Sequence, residues 1–365
     1  MRIKSKDIAK ALGLSTATVS LALNDRPGVN ENTKEKVRAY LAKAEEISYQ
    51  KDHKTSKKTI LEKGTIIMLN YYKNGMILDR NKQNAAESLL PSPFETAVVD
   101  AGYELLTIDY EEKKDNLEEL ALIWRERNLK GIYMIAAEMS RHDIYPFLHL
   151  CVPIVVGDCN FYEHGIDSFL IDNKEGISRA VDYLVDKGHS FIVYMAENSS
   201  IFNFVERRKA FVREMDKRQC GEASKRIAYL GNTVEEVYQS ALKFLNEERK
   251  QPTAFVLESS IVSLGVTKAL LEKGIKIPRE MSLIGFDALP PESLRGFELT
   301  LIKGTHTKRH LAAIRHLITL IEDEVPLKST NKEIIRIYYK THLIEGNSVF
   351  DKTKYIYTTE KKKGR

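Results

Sequence analysis

The sequence predicts a multidomain chain in which a small all-α headpiece precedes an α/β core of two lobes. Three observations predict it. Residues 5–24 carry two short helical patterns separated by a glycine turn. From Gly64 onward, apolar β-branched runs alternate with amphipathic stretches, the pattern of parallel sheets covered by helices on both faces. That region of about 280 residues exceeds one comfortable hydrophobic core and divides into two.

Taken in order, Ser5 can cap the first helix, and Asp7 places negative charge in its first turn, where the macrodipole favours it. Gly13 ends that helix, Leu14 folds back on its apolar face and Ser15 opens the next. Ala9 is small where two helices must cross, and Ile8, Leu12, Leu14, Val19 and Leu23 share an apolar face. Arg26-Pro27-Gly28 is a turn and Asn30 caps a third helix, whose apolar side is Val37, Ala39, Tyr40, Leu41 and Ala44. Two helices in this order form the helix-turn-helix that lays its second helix in a DNA major groove.

Charge agrees. Residues 1–63 hold 14 Lys and Arg against 8 Asp and Glu, whereas the full 365 residues carry a net +5, so the basic surplus sits in the headpiece and the stretch after it. Such confinement is the electrostatic footprint of phosphate binding. The stretch 50–63 is polar and rich in lysine, as expected of a flexible basic linker.

In the core, strands are expected at 65–70, 103–108, 131–136, 153–157, 168–171, 190–195, 227–230, 253–257, 282–286 and 333–340. Helices are expected at 116–128, 174–187, 203–218, 234–248, 261–273 and 307–322, while Pro91 and Pro93 argue against a helix between them and the first strand.

The run Asp7-Ile8-Ala9-Lys10-Ala11-Leu12-Gly13-Leu14-Ser15, with Thr18-Val19-Ser20, Asn24, Val29, Thr33 and Lys36-Val37, resembles the headpiece of lactose-repressor-type transcription regulators. The resemblance implies a helix-turn-helix headpiece on a two-lobed type I periplasmic-binding-protein-like core, with domains at 1–49, 50–63, 64–345 and a basic tail at 346–365. It implies a homodimer on palindromic operator DNA, gated by a small-molecule effector, a sugar or related metabolite. By position, Thr16, Ala17 and Leu21 would read bases, and Lys6, Ser15, Thr18, Ser20 and Asn24 would hold the backbone. Leu21 replaces a frequent Arg or His; an aliphatic side chain contacts a thymine methyl but cannot pair bidentately with guanine. The linker departs too. Its lysines, Lys57 and Lys58, fall where such regulators insert a leucine wedge into the minor groove, leaving Ile60 or Leu61 as a shifted wedge.

Ligands of open α/β sheets bind beyond the carboxyl ends of the strands, so a two-lobed core binds in the cleft between facing strand ends. The resemblance implies four matching places there: Asp158, the helix start Asp172-Asn173-Lys174-Glu175-Gly176, Arg207 and Asp287. Ser259, with Ser260, stands where these regulators often carry Asn-Asp, and Asp158, Arg207, Ser259 and Asp287 are the expected effector contacts. A guanidinium fork and a carboxylate can hold vicinal hydroxyls, which singles out Arg207 and Asp287, with a structural ion pair as the alternative. Lobe crossovers are expected near Asp158, near Asp287 and at Glu322–Val325. A second function class stays open: a DNA-binding regulator or architectural protein whose core only dimerises or answers to a protein partner.

Enzyme chemistry has no carrier here. Walker, dinucleotide, nucleophile-elbow and zinc-protease motifs are absent, and Cys151, Cys159 and Cys220 lack zinc spacing. His189 reads as a turn residue, and His306 with His310, four apart, makes at most a weak metal site. Neither cofactor nor metal is expected. The headpiece begins at the N-terminus and no apolar run approaches about 18 residues, so the expectation is a cytoplasmic protein without membrane contact.

Overall fold

The computed structural model describes residues 9, 12, 14–23, 29–30, 33–34, 36–37, 63–73, 92–218, 222–247, 252–287, 289, 294, 296–324 and 333–354. The chain divides into two compact units, one of Met1–Glu62 with Glu118–Ile123 and the other of Lys63–Leu117 with Trp124–Arg365. In the first, helix α1 (Thr16–Leu23) is capped by Ser15, whose Oγ accepts the Thr18 N–H at 3.0 Å. Asn30 caps likewise, accepting the Thr33 N–H at 2.8 Å. Ala9, Val19, Ala22 and Val37 form the buried centre, with Leu12, Leu14 and Val29 packed on it. Of the apolar face read from the sequence, Ala9, Leu12, Leu14 and Val19 belong to this centre, while Ile8 and the side chain of Leu23 lie outside the described residues.

In the core, chain order gives strands β1 (Thr65–Tyr72), β2 (Glu104–Glu111), β3 (Leu129–Ile135), β4 (Ile154–Gly157), β5 (Asp167–Ile171), β6 (Ile192–Glu197), β7 (Ile227–Gly231), β8 (Ala254–Leu257), β9 (Ser282–Phe286), β10 (Thr300–Lys303), β11 (Arg336–Tyr339) and β12 (His342–Ile344). They form two six-stranded sheets, ordered β11-β5-β4-β3-β1-β2 and β12-β10-β9-β8-β6-β7. Every pairing is parallel except β10 with β12. Inner strands such as β5, β6 and β9 are buried along their whole length, as parallel strands covered on both faces must be. The edge strand β11 is largely exposed and the edge strand β2 is half-buried.

The longer helices that follow the headpiece are α2 (Pro93–Asp100), α3 (Leu117–Glu126), α4 (Asn173–Asp186), α5 (Phe202–Lys217), α6 (Val234–Glu247), α7 (Ser260–Glu272) and α8 (His306–Glu322). The helix that Pro91 and Pro93 were expected to interrupt, between the first strand and Ser92, falls on residues 74–91, outside the described residues; Pro93 itself starts α2. Ser92 caps it, accepting the Glu95 N–H at 3.1 Å, and a proline at the first position lacks only an N–H that would have had no helical partner.

The crossovers also differ from expectation. The chain passes between lobes at Asp172 (β5 to α4), at Gly304–Thr305 (β10 to α8) and at Lys340–Thr341 (β11 to β12). Asp158 instead leads from β4 to β5 within one sheet, and Asp287 follows β9 within the other. Alternation reveals strands and helices, not which sheet each strand joins. Packing decides: Ala313, Ile314 and Leu317 of α8 bury against Ile66, Tyr133 and Val155 of the first sheet, so α8 must leave the second lobe before it begins. Conversely α4 buries Ile177, Val181 and Leu184 in the second lobe. Gly176 lets it approach; a Cβ there would stand 2.9 Å from Ile302 and 3.1 Å from Phe286.

The second lobe extends past residue 345. Fully buried Ser348 donates from Oγ to the Leu283 carbonyl at 2.7 Å and accepts the Thr300 N–H at 2.7 Å, and Lys352 donates its main-chain N–H to Lys187 at 2.9 Å. Residues 346–354, expected as the start of a tail, thus fasten β9 and β10. Residues 355–365 lie outside the described residues.

Candidate functional site

On α1, Val19 and Ala22 point into the headpiece centre, which turns Thr16 and Ser20 outward; both are exposed. Leu21 and Thr18 are partly exposed, and the Ser15 and Thr18 hydroxyls lie 2.8 Å apart across the cap. Ser15 therefore serves the helix start as well as any backbone contact. Lys6, Asn24, the side chain of Ala17 and the linker residues Lys57, Lys58, Ile60 and Leu61 lie outside the described residues.

Strand ends of the two core sheets bring a polar chain together across the cleft. Arg207 on α5 is 2 % exposed; it donates from Nε to Asn173 Oδ1 at 2.8 Å and from Nη1 to the Glu258 carbonyl at 2.7 Å. Its Nη2 stands 3.8 Å from Asp287 Oδ2, and its guanidinium lies 3.4 Å over the Phe286 ring. Asn173 donates to Asn203 Oδ1 at 2.7 Å, and Asn203 donates from Nδ2 to the Asp158 carbonyl at 3.1 Å. The Asp158 carboxylate accepts from Arg309 Nη2 at 2.9 Å, and Arg309 also donates to the Phe169 carbonyl at 3.0 Å. Asp158 and Asp287 both hold left-handed backbone, with φ of 65° and 71°, as acids at the mouths of strands tolerate better than branched residues.

Electrostatics keep this chain charged where it must be. Burial alone would raise the Asp158 carboxyl, but the Arg309 guanidinium beside it lowers it below the usual carboxylate range. His310 is pushed down to about 3 by burial and then by Arg309, so it is neutral at physiological pH. Arg309 Nη2 faces its Nε2 at 3.3 Å and can only donate, which leaves the proton on Nδ1, toward the Tyr133 oxygen. His306 stacks on His310 with centroids 6.3 Å apart and meets Asp287 at 3.3 Å. No group of three metal-ligating side chains occurs among the described residues.

Ser259 departs from the role expected of it. Its hydroxyl accepts the Val262 N–H at 3.2 Å as the cap of α7 and donates to Glu197, so it is engaged inside the lobe. Behind it lie residues not singled out in the sequence: Glu197, Glu258 and Arg208. Arg208 grips Glu258 with Nε and Nη2, each at 2.7 Å. Their signal was present, a carboxylate closing each of two apolar runs, Ile192–Ala196 and Ala254–Leu257. His189 is a turn residue as expected: Nδ1 pairs with the Thr253 hydroxyl at 2.9 Å and Nε2 with the Phe350 carbonyl at 3.0 Å, and burial lowers its pKa.

Residues 5–51 match the bacterial regulatory proteins of the lacI family, and residues 181–349 match a periplasmic binding protein-like domain. The chain belongs to the lacI family. This lacI-family chain is 23% identical over 352 residues to the HTH-type transcriptional regulator MalR of Clostridium butyricum, an overlap of 95% of this chain and 99% of MalR. Among solved structures, the lac repressor dimer bound to operator and the anti-inducer ONPF matches with a TM-score of 0.61 at 19% identity, over 96% of this chain and 100% of that one. The complex of the transcriptional regulator CelR with cellobiose matches with a TM-score of 0.58 at 17% identity, over 95% and 100%. These likenesses establish the lacI-family fold, and the family is one of transcription regulators. No helix among the described residues is long and apolar enough to cross a membrane.

Proposed function

We propose that this lacI-family protein is a sequence-specific transcription regulator, a repressor, that occupies palindromic operator DNA as a homodimer and is gated by a small molecule in the core cleft. Thr16, Ala17 and Leu21 read base edges; Lys6, Ser15, Thr18, Ser20 and Asn24 hold the phosphate backbone. It acts in the cytoplasm, by binding and not by catalysis. The effector is a sugar or related metabolite, in keeping with the cellobiose bound by CelR.

The observation that carries the cleft reading is the Arg207–Asp287 pair. At 3.8 Å it is looser than the other bonds of Arg207, and a diol can enter between a guanidinium and a carboxylate held this way. Lobe closure on such a ligand shifts the core between two arrangements and so moves the headpieces. Thermal-shift measurements of the full chain against a panel of sugars and nucleosides test this, since a ligand at 100 times its Kd raises stability by about 2.7 kcal/mol.

One observation favours a second reading. Arg207 already has a partner for Nε, Nη1 and Nη2 within the protein. A core that only dimerises, or that answers to a protein partner, would use this same arrangement as a structural brace; no compound in the panel would then raise the melting temperature.

A further inference from the structure

Two carboxylates end neighbouring strands of the second lobe. Glu197 closes β6, Glu258 directly follows β8, and these strands pair in register. Both side chains are fully buried. Burial raises the Glu258 carboxyl, but Glu258 is well provided for against it, with two bonds from Arg208 and a third from the Glu197 N–H at 2.8 Å. Glu197 is not. Its Oε1 takes the Ser259 hydroxyl, and no donor among the described residues reaches its Oε2.

The groups that face the pair come from every element around it. Arg207 and Arg208 approach from α5, Tyr194 from β6 itself and Ser259 from the start of α7. Tyr229 of β7 lies over the Arg208 guanidinium at 5.3 Å, and Asp287 stands beyond Arg207. Arg208 balances Glu258 and Arg207 balances Asp287, which leaves no cation for Glu197. An ionised oxygen in the core without a donor costs far more than a neutral one.

We propose that Glu197 carries a proton beside ionised Glu258, and that this pair makes the second lobe a pH-sensitive element, tightest in mild acid and looser as the pH rises through neutrality. Burial, reinforced by the Glu258 charge, pushes the Glu197 carboxyl up to about 7, against the opposing pull of Ser259 and Arg208. A carboxyl raised in the folded state adds stability that is full below its unfolded value of 4.5 and is lost as the pH climbs through about 7. Loosening there reaches the cleft wall, because Arg207 Nη1 is anchored on the main-chain carbonyl of Glu258. The element does not depend on which effector the cleft takes.

The test is the melting temperature of the full chain between about pH 5 and pH 8, for wild type and Glu197→Gln. Gln keeps the shape of a protonated Glu and cannot ionise. Wild type is expected to lose several degrees relative to the variant across that range; parallel curves overturn the proposal. Should the variant fail to fold, infrared spectra of the wild-type protein decide. A buried carboxylic-acid carbonyl band present at about pH 6 and gone by about pH 8 supports the assignment, and its absence at the lower pH refutes it.

Discussion

Asn203 of the second lobe reaches the main-chain carbonyl of Asp158 of the first at 3.1 Å, and the carboxylate of the same Asp158 holds Arg309 at 2.9 Å. One residue thereby receives a bond from each side of the cleft. Through Asn173 the chain of hydrogen bonds continues to Arg207, so a ligand that engages Arg207 acts on the contact that ties the lobes. Coupling of this kind needs two arrangements of the lobes, and the Asn203–Asp158 bond is expected to be made in one and broken in the other.

Asn203→Ala removes that bond and takes from Asn173 Nδ2 its 2.7 Å acceptor, leaving it the longer bond to the Ile171 carbonyl at 3.4 Å. The expected loss is about 1–3 kcal/mol of unfolding free energy, read from urea titration of the full chain. Small-angle scattering should show a larger mean separation of the lobes. An unchanged urea midpoint with unchanged scattering would remove Asn203 from the account.

Asp158→Asn keeps the shape but strands the Arg309 charge in the core. Breaking a buried pair in this way costs about 3–5 kcal/mol. Because the Asp158 carboxyl is lowered in the folded protein, its contribution is present above its unfolded value of 3.8 and disappears as the pH falls below it. The wild-type advantage over Asp158→Asn should therefore shrink in strong acid, and an advantage independent of pH would contradict the charged pairing.

The headpiece makes a prediction of a different kind. Leu21→Arg should change the preferred bases in a selection from random duplexes, whereas Ser20→Ala should weaken binding to all sequences alike. Identical base preferences for Leu21→Arg and wild type would take Leu21 out of the groove.

Much of this was legible in the sequence, for identifiable reasons. The Ser15 and Asn30 caps, the Val19 and Val37 core and the inner strands follow from local chemistry and periodicity, and they stand where the residues place them. Long-range choices were hidden. The crossover at Gly304–Thr305 depends on which sheet α8 covers, a decision made by Ala313 and Leu317 against a surface assembled from residues far away in the chain. In the cleft, Arg207 and Asp287 were found through the family pattern. Glu197 and Glu258 were missed because each looks like an ordinary strand end until β6 and β8 lie side by side.

The central claim is that the cleft gates the operator through Arg207. Fluorescence anisotropy of the full chain on its selected operator, titrated with each sugar of the panel, tests it most directly, run in parallel on wild type and Arg207→Ala. The account predicts that one sugar changes wild-type operator affinity by about tenfold, within the usual range of allosteric coupling, and that Arg207→Ala keeps the unliganded affinity but loses the response. An Arg207→Ala protein that responds to that sugar as wild type does, or that loses its dimer and its fold, would contradict it.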